Sequence, residues 1–118
     1  MGKLSTHILD TSIGRPAAGV TLSLWRKEGE AWVVIAQAVT NSDGRTDRPL
    51  LEGDKVIAGV YELRFSVGAY FQARGLSTGA VPPFLDEVPI RFGLADPQAN
   101  YHVPLLMTPW AYSTYRGS

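Results

Sequence analysis

At 118 residues, with 45% hydrophobic and 19% charged residues, the chain has the composition of one globular domain, 1–118, rather than of a disordered segment. Eleven basic residues balance eleven acidic ones without a basic tract, and no apolar run approaches the roughly 20 residues of a membrane span, so neither nucleic acid nor a bilayer is an expected partner. A small molecule or further copies of the chain are therefore the expected partners. Cysteine is absent, which excludes a disulfide framework and thiolate metal sites.

Met1-Gly2-Lys3-Leu4 passes directly into a patterned strand with no long apolar stretch or cleavage site before it. A cytoplasmic location is therefore expected, with the periplasm or another compartment following if a signal peptide has been removed. The first strand, Lys3 to Leu9, sets His7 on the face opposite Leu4, Thr6 and Ile8. After the turn residues Gly14-Arg15-Pro16, Val20, Leu22 and Leu24 alternate with Thr21 and Ser23, and Lys27-Glu28-Gly29 reverses the chain into a strand over Ala31 to Val39. Asn41-Ser42-Asp43-Gly44 forms a tight reversal that aims Arg45 in a fixed direction. Glu52-Gly53-Asp54 marks another turn.

Tyr61, Leu63, Phe65 and Val67 alternate with Glu62, Arg64 and Ser66, and the non-alternating Gly68 to Leu76 suits a short helix. Ser77 through Pro83 reads as a connecting loop, because two successive prolines extend neither helix nor ladder. Val88, Ile90, Phe92 and Leu94 form a further alternating strand, and Asp96-Pro97 a turn. Tyr101, Val103, Leu105 and Met107 then alternate with His102, Pro104 and Leu106, and Trp110 to Tyr115 closes the series. Seven or eight short strands at this spacing argue for an antiparallel sandwich.

Imidazole chemistry near neutral pH must use His7, His102 or both, since the chain has two histidines. Taken singly, either reads as a surface or hydrogen-bonded histidine. The face shared by His102, Pro104, Leu106 and Thr108 is nevertheless uncharged, which fits a subunit interface, and Pro104 cannot donate to a ladder. Arg45 and Arg116 are ordinary exposed arginines in isolation; converging on one site, they would suit a planar anionic ligand through bidentate hydrogen bonds and stacking. The chain end is also unusual. Tyr115 and Arg116 supply donors, Gly117 lets backbone approach a ligand, and Ser118 adds a hydroxyl beside the terminal carboxylate.

Three blocks in order resemble the 5-hydroxyisourate hydrolases, the enzymatic branch of the transthyretin family: Leu4-Ser5-Thr6-His7-Ile8-Leu9-Asp10-Thr11 with Gly14 through Val20; Thr40-Asn41-Ser42-Asp43-Gly44-Arg45; and Tyr101 through Leu106 with Tyr112 through Ser118. The resemblance spans essentially the whole chain. It implies an all-β, transthyretin-like two-sheet antiparallel sandwich of about eight strands with one short helix, assembled as a homotetramer, a dimer of dimers around a channel holding the sites. It assigns catalytic roles to His7, Arg45, His102 and Ser118, and substrate contacts to His7, Arg45, Tyr115, Arg116, Gly117 and Ser118. Thr108 joins the substrate contacts, keeping a hydroxyl where the family often has Ser. Asn100 and Ala111 depart from the His and Gly often found there.

The implied reaction opens the six-membered ring of 5-hydroxyisourate, giving 2-oxo-4-hydroxy-4-carboxy-5-ureidoimidazoline in urate degradation, and calls for no cofactor. In this reading His7 and His102 position and deprotonate water, and Arg45, helped by Arg116, holds the ring and its developing oxyanion. No Ser-His-Asp or GxSxG arrangement points to an acyl-enzyme, and two imidazoles without a third ligand assign no metal. Two rival readings are a non-catalytic carrier of hydrophobic hormone-like ligands and a structural or adhesive sandwich module.

Overall fold

The computed structural model of the chain describes residues 1–76, 79 and 81–118. In chain order its elements are β1 (Lys3–Asp10), β2 (Arg15–Pro16), β3 (Thr21–Glu28), β4 (Ala31–Val39), β5 (Leu51–Glu52), a single 3₁₀ turn at Gly53–Lys55, β6 (Gly59–Ser66), α1 (Val67–Ala73), β7 (Glu87–Leu94), β8 (Asn100–Met107) and β9 (Tyr112–Thr114). One sheet runs β2-β1-β8-β9 with β5 beside the start of β1; the other runs β4-β3-β6-β7. The expected β-sandwich with one α-helix is therefore the fold. The loop expected over Ser77 to Pro83 falls partly on Ser77, Thr78 and Ala80, which lie outside the described residues.

The alternating residues form the core. Leu4 and Ile8 of β1, Leu22 and Leu24 of β3, Tyr61, Leu63 and Phe65 of β6, Val88 and Leu94 of β7, and Leu105 and Met107 of β8 are all buried between the sheets. Full burial of such side chains contributes roughly 1.5–3 kcal/mol each, which is why a one-residue slip of any of these strands would be costly. The outer face of the second sheet is closed by charge rather than by apolar packing. Arg64 stacks on Trp25 at 4.2 Å and Arg91 on Trp32 at 4.7 Å, and both donate to Glu62. Burial alone would raise the Glu62 carboxyl, but the hydrogen bonds and charges of the two arginines outweigh it and hold its pKa below the ordinary value.

Strand direction departs from the sequence expectation at one pair. β1 and β8 run parallel and in register from Lys3↔Asn100 to Asp10↔Met107, whereas the other ladders are antiparallel. Thr6 Oγ1 donates to the Val103 carbonyl at 2.7 Å inside the core and helps pin that register.

The helix also begins earlier than expected, at Val67, because Val67, Tyr70 and Phe71 have a core to bury into. Seven residues are too few for a helix to persist alone, so tertiary packing holds it. Its polar anchor is Asp10, fully buried at the end of β1: Asp10 Oδ2 accepts the Tyr70 hydroxyl at 2.9 Å, and Oδ1 accepts the Ser12 amide at 3.0 Å. Burial, reinforced by the bond to Asp10, pushes the Tyr70 hydroxyl up to about 12.

Candidate active site

Because β1 and β8 are adjacent and parallel, residues paired across them share a face. Ser5 pairs with His102 and His7 with Pro104, so both histidines stand on the outer face of the first sheet, two positions out of step. Each is half-buried, opposite its own strand's core row.

On the far side of β1, the turn at residues 41–44 delivers Arg45. Asn41 Oδ1 accepts the amides of Asp43 at 2.9 Å and Arg45 at 3.2 Å, and the Gly44 amide donates to the Asn41 carbonyl at 2.9 Å. Gly44 closes the reversal at φ +74°, and its buried backbone leaves no space for a side chain, since a Cβ would run into the Ile8 carbonyl and Pro16. Ile8 N–H binds the Gly44 carbonyl at 2.8 Å, and Arg45 is bridged directly opposite His7. The same turn fixes His7. His7 Nε2 lies 2.8 Å from the Asp43 carbonyl, which can only accept, so Nε2 carries the proton and in the neutral ring Nδ1 keeps its lone pair.

On the other side of β8, the chain end is built in. The pairs Leu105↔Thr114 and His102↔Gly117 lie on one register, so the tail continues β9 past a gap. The gap falls opposite Pro104, which has no N–H to give. Thr114 Oγ1 donates instead to the Pro104 carbonyl at 2.6 Å, and the ladder resumes where Gly117 N–H meets the His102 carbonyl at 2.8 Å. Gly117 lies so close that a Cβ there would stand 2.5 Å from His102 Cδ2.

The electrostatics of His102 follow from these neighbours. Burial first, then the positive charge of Arg45 and the cost of sharing the site with a second protonated imidazole at His7, push its pKa below the ordinary value, so the ring is neutral near pH 7. Its Nδ1 lies 2.9 Å from Ser5 Oγ, and Nε2 makes no hydrogen bond among the described residues. A neutral imidazole with one free nitrogen, beside a guanidinium, can accept a proton from water next to a developing anion.

A search of family models matches residues 4–117 to the HIUase/Transthyretin family. The chain belongs to that family. A protein of Halalkalibacterium halodurans named 5-hydroxyisourate hydrolase is 57% identical over 99% of this chain and 98% of its own. Among solved structures, Klebsiella pneumoniae 5-hydroxyisourate hydrolase superposes with a TM-score of 0.80 at 40% identity, covering 100% of both chains. Sea bream transthyretin, solved in complex with thyroxine, superposes with a TM-score of 0.85 at 30% identity, covering 98% of this chain and 94% of its own.

Of the residues singled out in this family member, His7, Arg45, His102 and Gly117 converge, and Ser118 follows directly, exposed, at the chain end. Arg116 is turned away within its own chain. Its guanidinium lies 4.2 Å over the Tyr101 ring and donates to the Asn100 carbonyl at 3.3 Å, on the face of β8 opposite His102. Tyr115 is 59% exposed. Thr108 stands six residues beyond His102, roughly 20 Å along the strand, where its Oγ1 accepts the amides of Trp110 and Ala111 and closes the turn into β9. Among the described residues, no three His, Asp or Glu side chains cluster as metal ligands, and no helix is long and apolar enough to cross a membrane. Ser5 escapes sequence reasoning. A serine on a strand face carries no local signal, and its partner lies 97 positions away in the chain.

Proposed function

We propose that this family member hydrolyses 5-hydroxyisourate to 2-oxo-4-hydroxy-4-carboxy-5-ureidoimidazoline, using only water and the side chains on the outer face of β1 and β8. The convergence of His7, Arg45 and His102 on that face carries the reading. Water adds to the ring carbonyl, the C–N bond breaks, and the product gains a carboxylate and an N–H. His102 Nε2 takes the proton from the attacking water, a role worth roughly 10²–10⁴-fold. The imidazolium so formed returns it to the leaving nitrogen. Arg45 stabilises charge on the carbonyl oxygen, where a preorganised cation is most effective. His7, its Nε2–H tied to Asp43, offers Nδ1 to hold the same water.

Ser118 adds a hydroxyl beside Gly117. Within this proposal the working unit is a homotetramer whose facing copies close the site; Thr108 and the exposed Tyr115 meet substrate across that interface, whereas Arg116 is held over Tyr101 on the other face of β8. Trp110 at 60% exposure and Tyr112 at 44% are apolar surface that such an assembly would cover.

The carrier reading, exemplified by the thyroxine complex of the sea bream relative, needs an apolar lining, whereas two histidines and an arginine make this face polar and basic. Mixing the chain with freshly generated 5-hydroxyisourate and following its ultraviolet decay separates the two. Decay far faster than in buffer is expected. Decay at the buffer rate, together with thyroxine binding, would overturn the proposal in favour of a carrier.

A further inference from the structure

His102 has two ring nitrogens, and which of them bears the proton in the neutral ring decides whether Nε2 is a base or a donor. Nδ1 is engaged with Ser5 Oγ at 2.9 Å. A hydroxyl can donate or accept, so this contact does not choose a tautomer by chemistry alone. The surroundings distinguish the two nitrogens. Nε2 is the nitrogen with no hydrogen-bond partner among the described residues, hence the one left for water, and Gly117 lies beside the Cδ2 edge of the ring, where an added Cβ would stand 2.5 Å from Cδ2.

We infer that Ser5 is a positioning residue for the hydrolysis: its Oγ accepts the Nδ1–H of His102 and so keeps the Nε2 lone pair free for the attacking water. This inference rests on the proposed role of His102 as base, and adds the group that prepares it. The strand register supplies the geometry, because the parallel pairing sets Ser5 directly opposite His102 on the same face. A shift of β1 by one residue would bring Leu4 or Thr6 there instead, and the buried Thr6 bond to the Val103 carbonyl opposes that shift.

The choice of a hydroxyl has a chemical consequence. A carboxylate at this position would also hold Nδ1–H, but its charge would raise the ring's basicity and favour the imidazolium in the resting enzyme. Serine fixes orientation without adding charge, and the depressed pKa of His102 accords with that. When Nε2 takes the proton from water, both ring nitrogens become donors. Ser5 already accepts, so no rearrangement is needed at that moment.

The test combines histidine ¹⁵N NMR on the substrate-free protein with kinetics of Ser5→Ala and Ser5→Thr. In the natural chain, Nδ1 of neutral His102 should show the shift of a protonated nitrogen and Nε2 that of a bare one. Ser5→Ala should move the ring towards the Nε2–H form and lower kcat about 10- to 100-fold, a part of the general-base contribution, with KM within about twofold. Ser5→Thr, which keeps Oγ, should recover most of the lost rate. A natural chain in which Nε2 carries the proton would overturn the inference. So would a Ser5→Ala variant with full kcat. The tautomer is read without substrate, so a failure of the functional proposal, shown by an inert natural chain or a fully active His102→Asn variant, is distinguishable from a failure at Ser5.

Discussion

His102→Asn is expected to lower kcat about 10²- to 10⁴-fold, the range a positioned general base supplies, while the protein remains folded. Asparagine keeps a polar side chain of smaller size but has no nitrogen lone pair that can take a proton from water. The backbone of residue 102 goes on serving its two neighbours, Ser5 across the parallel ladder and Gly117 through its carbonyl, so the sheet has no reason to come apart. His102 is also only half-buried, which limits the cavity left behind. The kinetic measurement therefore pairs with a thermal melt. A melt shifted by no more than a few degrees beside a collapse in kcat is the expected pattern, and a variant active within about threefold of the natural chain would remove His102 from the mechanism.

Gly117→Ala is expected to have the second largest effect, on the order of 10²-fold in kcat, through geometry alone. Carbon atoms settle at about 3.5–4.0 Å, whereas the new Cβ would sit 2.5 Å from His102 Cδ2 and 3.2 Å from Cγ. Either the ring swings off Ser5 or the tail gives up its bond to the His102 carbonyl. Both outcomes disturb the proton acceptor or the chain end beside it. Stability should change little, because the residues at the end of the chain are mostly exposed and contribute no core side chain. A chain ending at Thr114 should lose activity in the same way and still assemble. If the alanine variant and the shortened chain both turned over at the natural rate, the tail would have no part in the reaction.

These two effects differ in how far the sequence announces them. Alternation along the strands identifies the core and, by exclusion, puts His7 and His102 on the opposite faces, since a strand's two sides follow from period two alone. The same periodicity says nothing about which strand lies beside which, or in which direction. The parallel pairing of β1 with β8 is accordingly hidden from it, and with that pairing the Ser5–His102 contact. Pro104 is legible as an interruption, and the structure shows its cost and its use: the ladder opens opposite it and re-forms at Gly117. Arg116 shows the limit in the other direction. A run of Tyr, Arg, Gly and Ser reads as one functional unit, yet successive strand residues point to opposite sides, so Arg116 lies over Tyr101 while Gly117 meets His102. Asp10 belongs with the structural surprises, a buried carboxyl at the end of β1 whose partner, Tyr70, comes from the helix.

At the centre of the proposed mechanism is a part-buried imidazole, kept neutral chiefly by its burial and by the charge of Arg45, that activates water. The most direct measurement is the pH dependence of kcat/KM for 5-hydroxyisourate, with spontaneous decay subtracted at each pH. His102 works when unprotonated, and its pKa is lowered, so activity should persist as pH falls through the ordinary histidine value near 6.5 and be lost only below it. An acid limb centred at or above that value would contradict the mechanism, as would a profile with no acid limb at all.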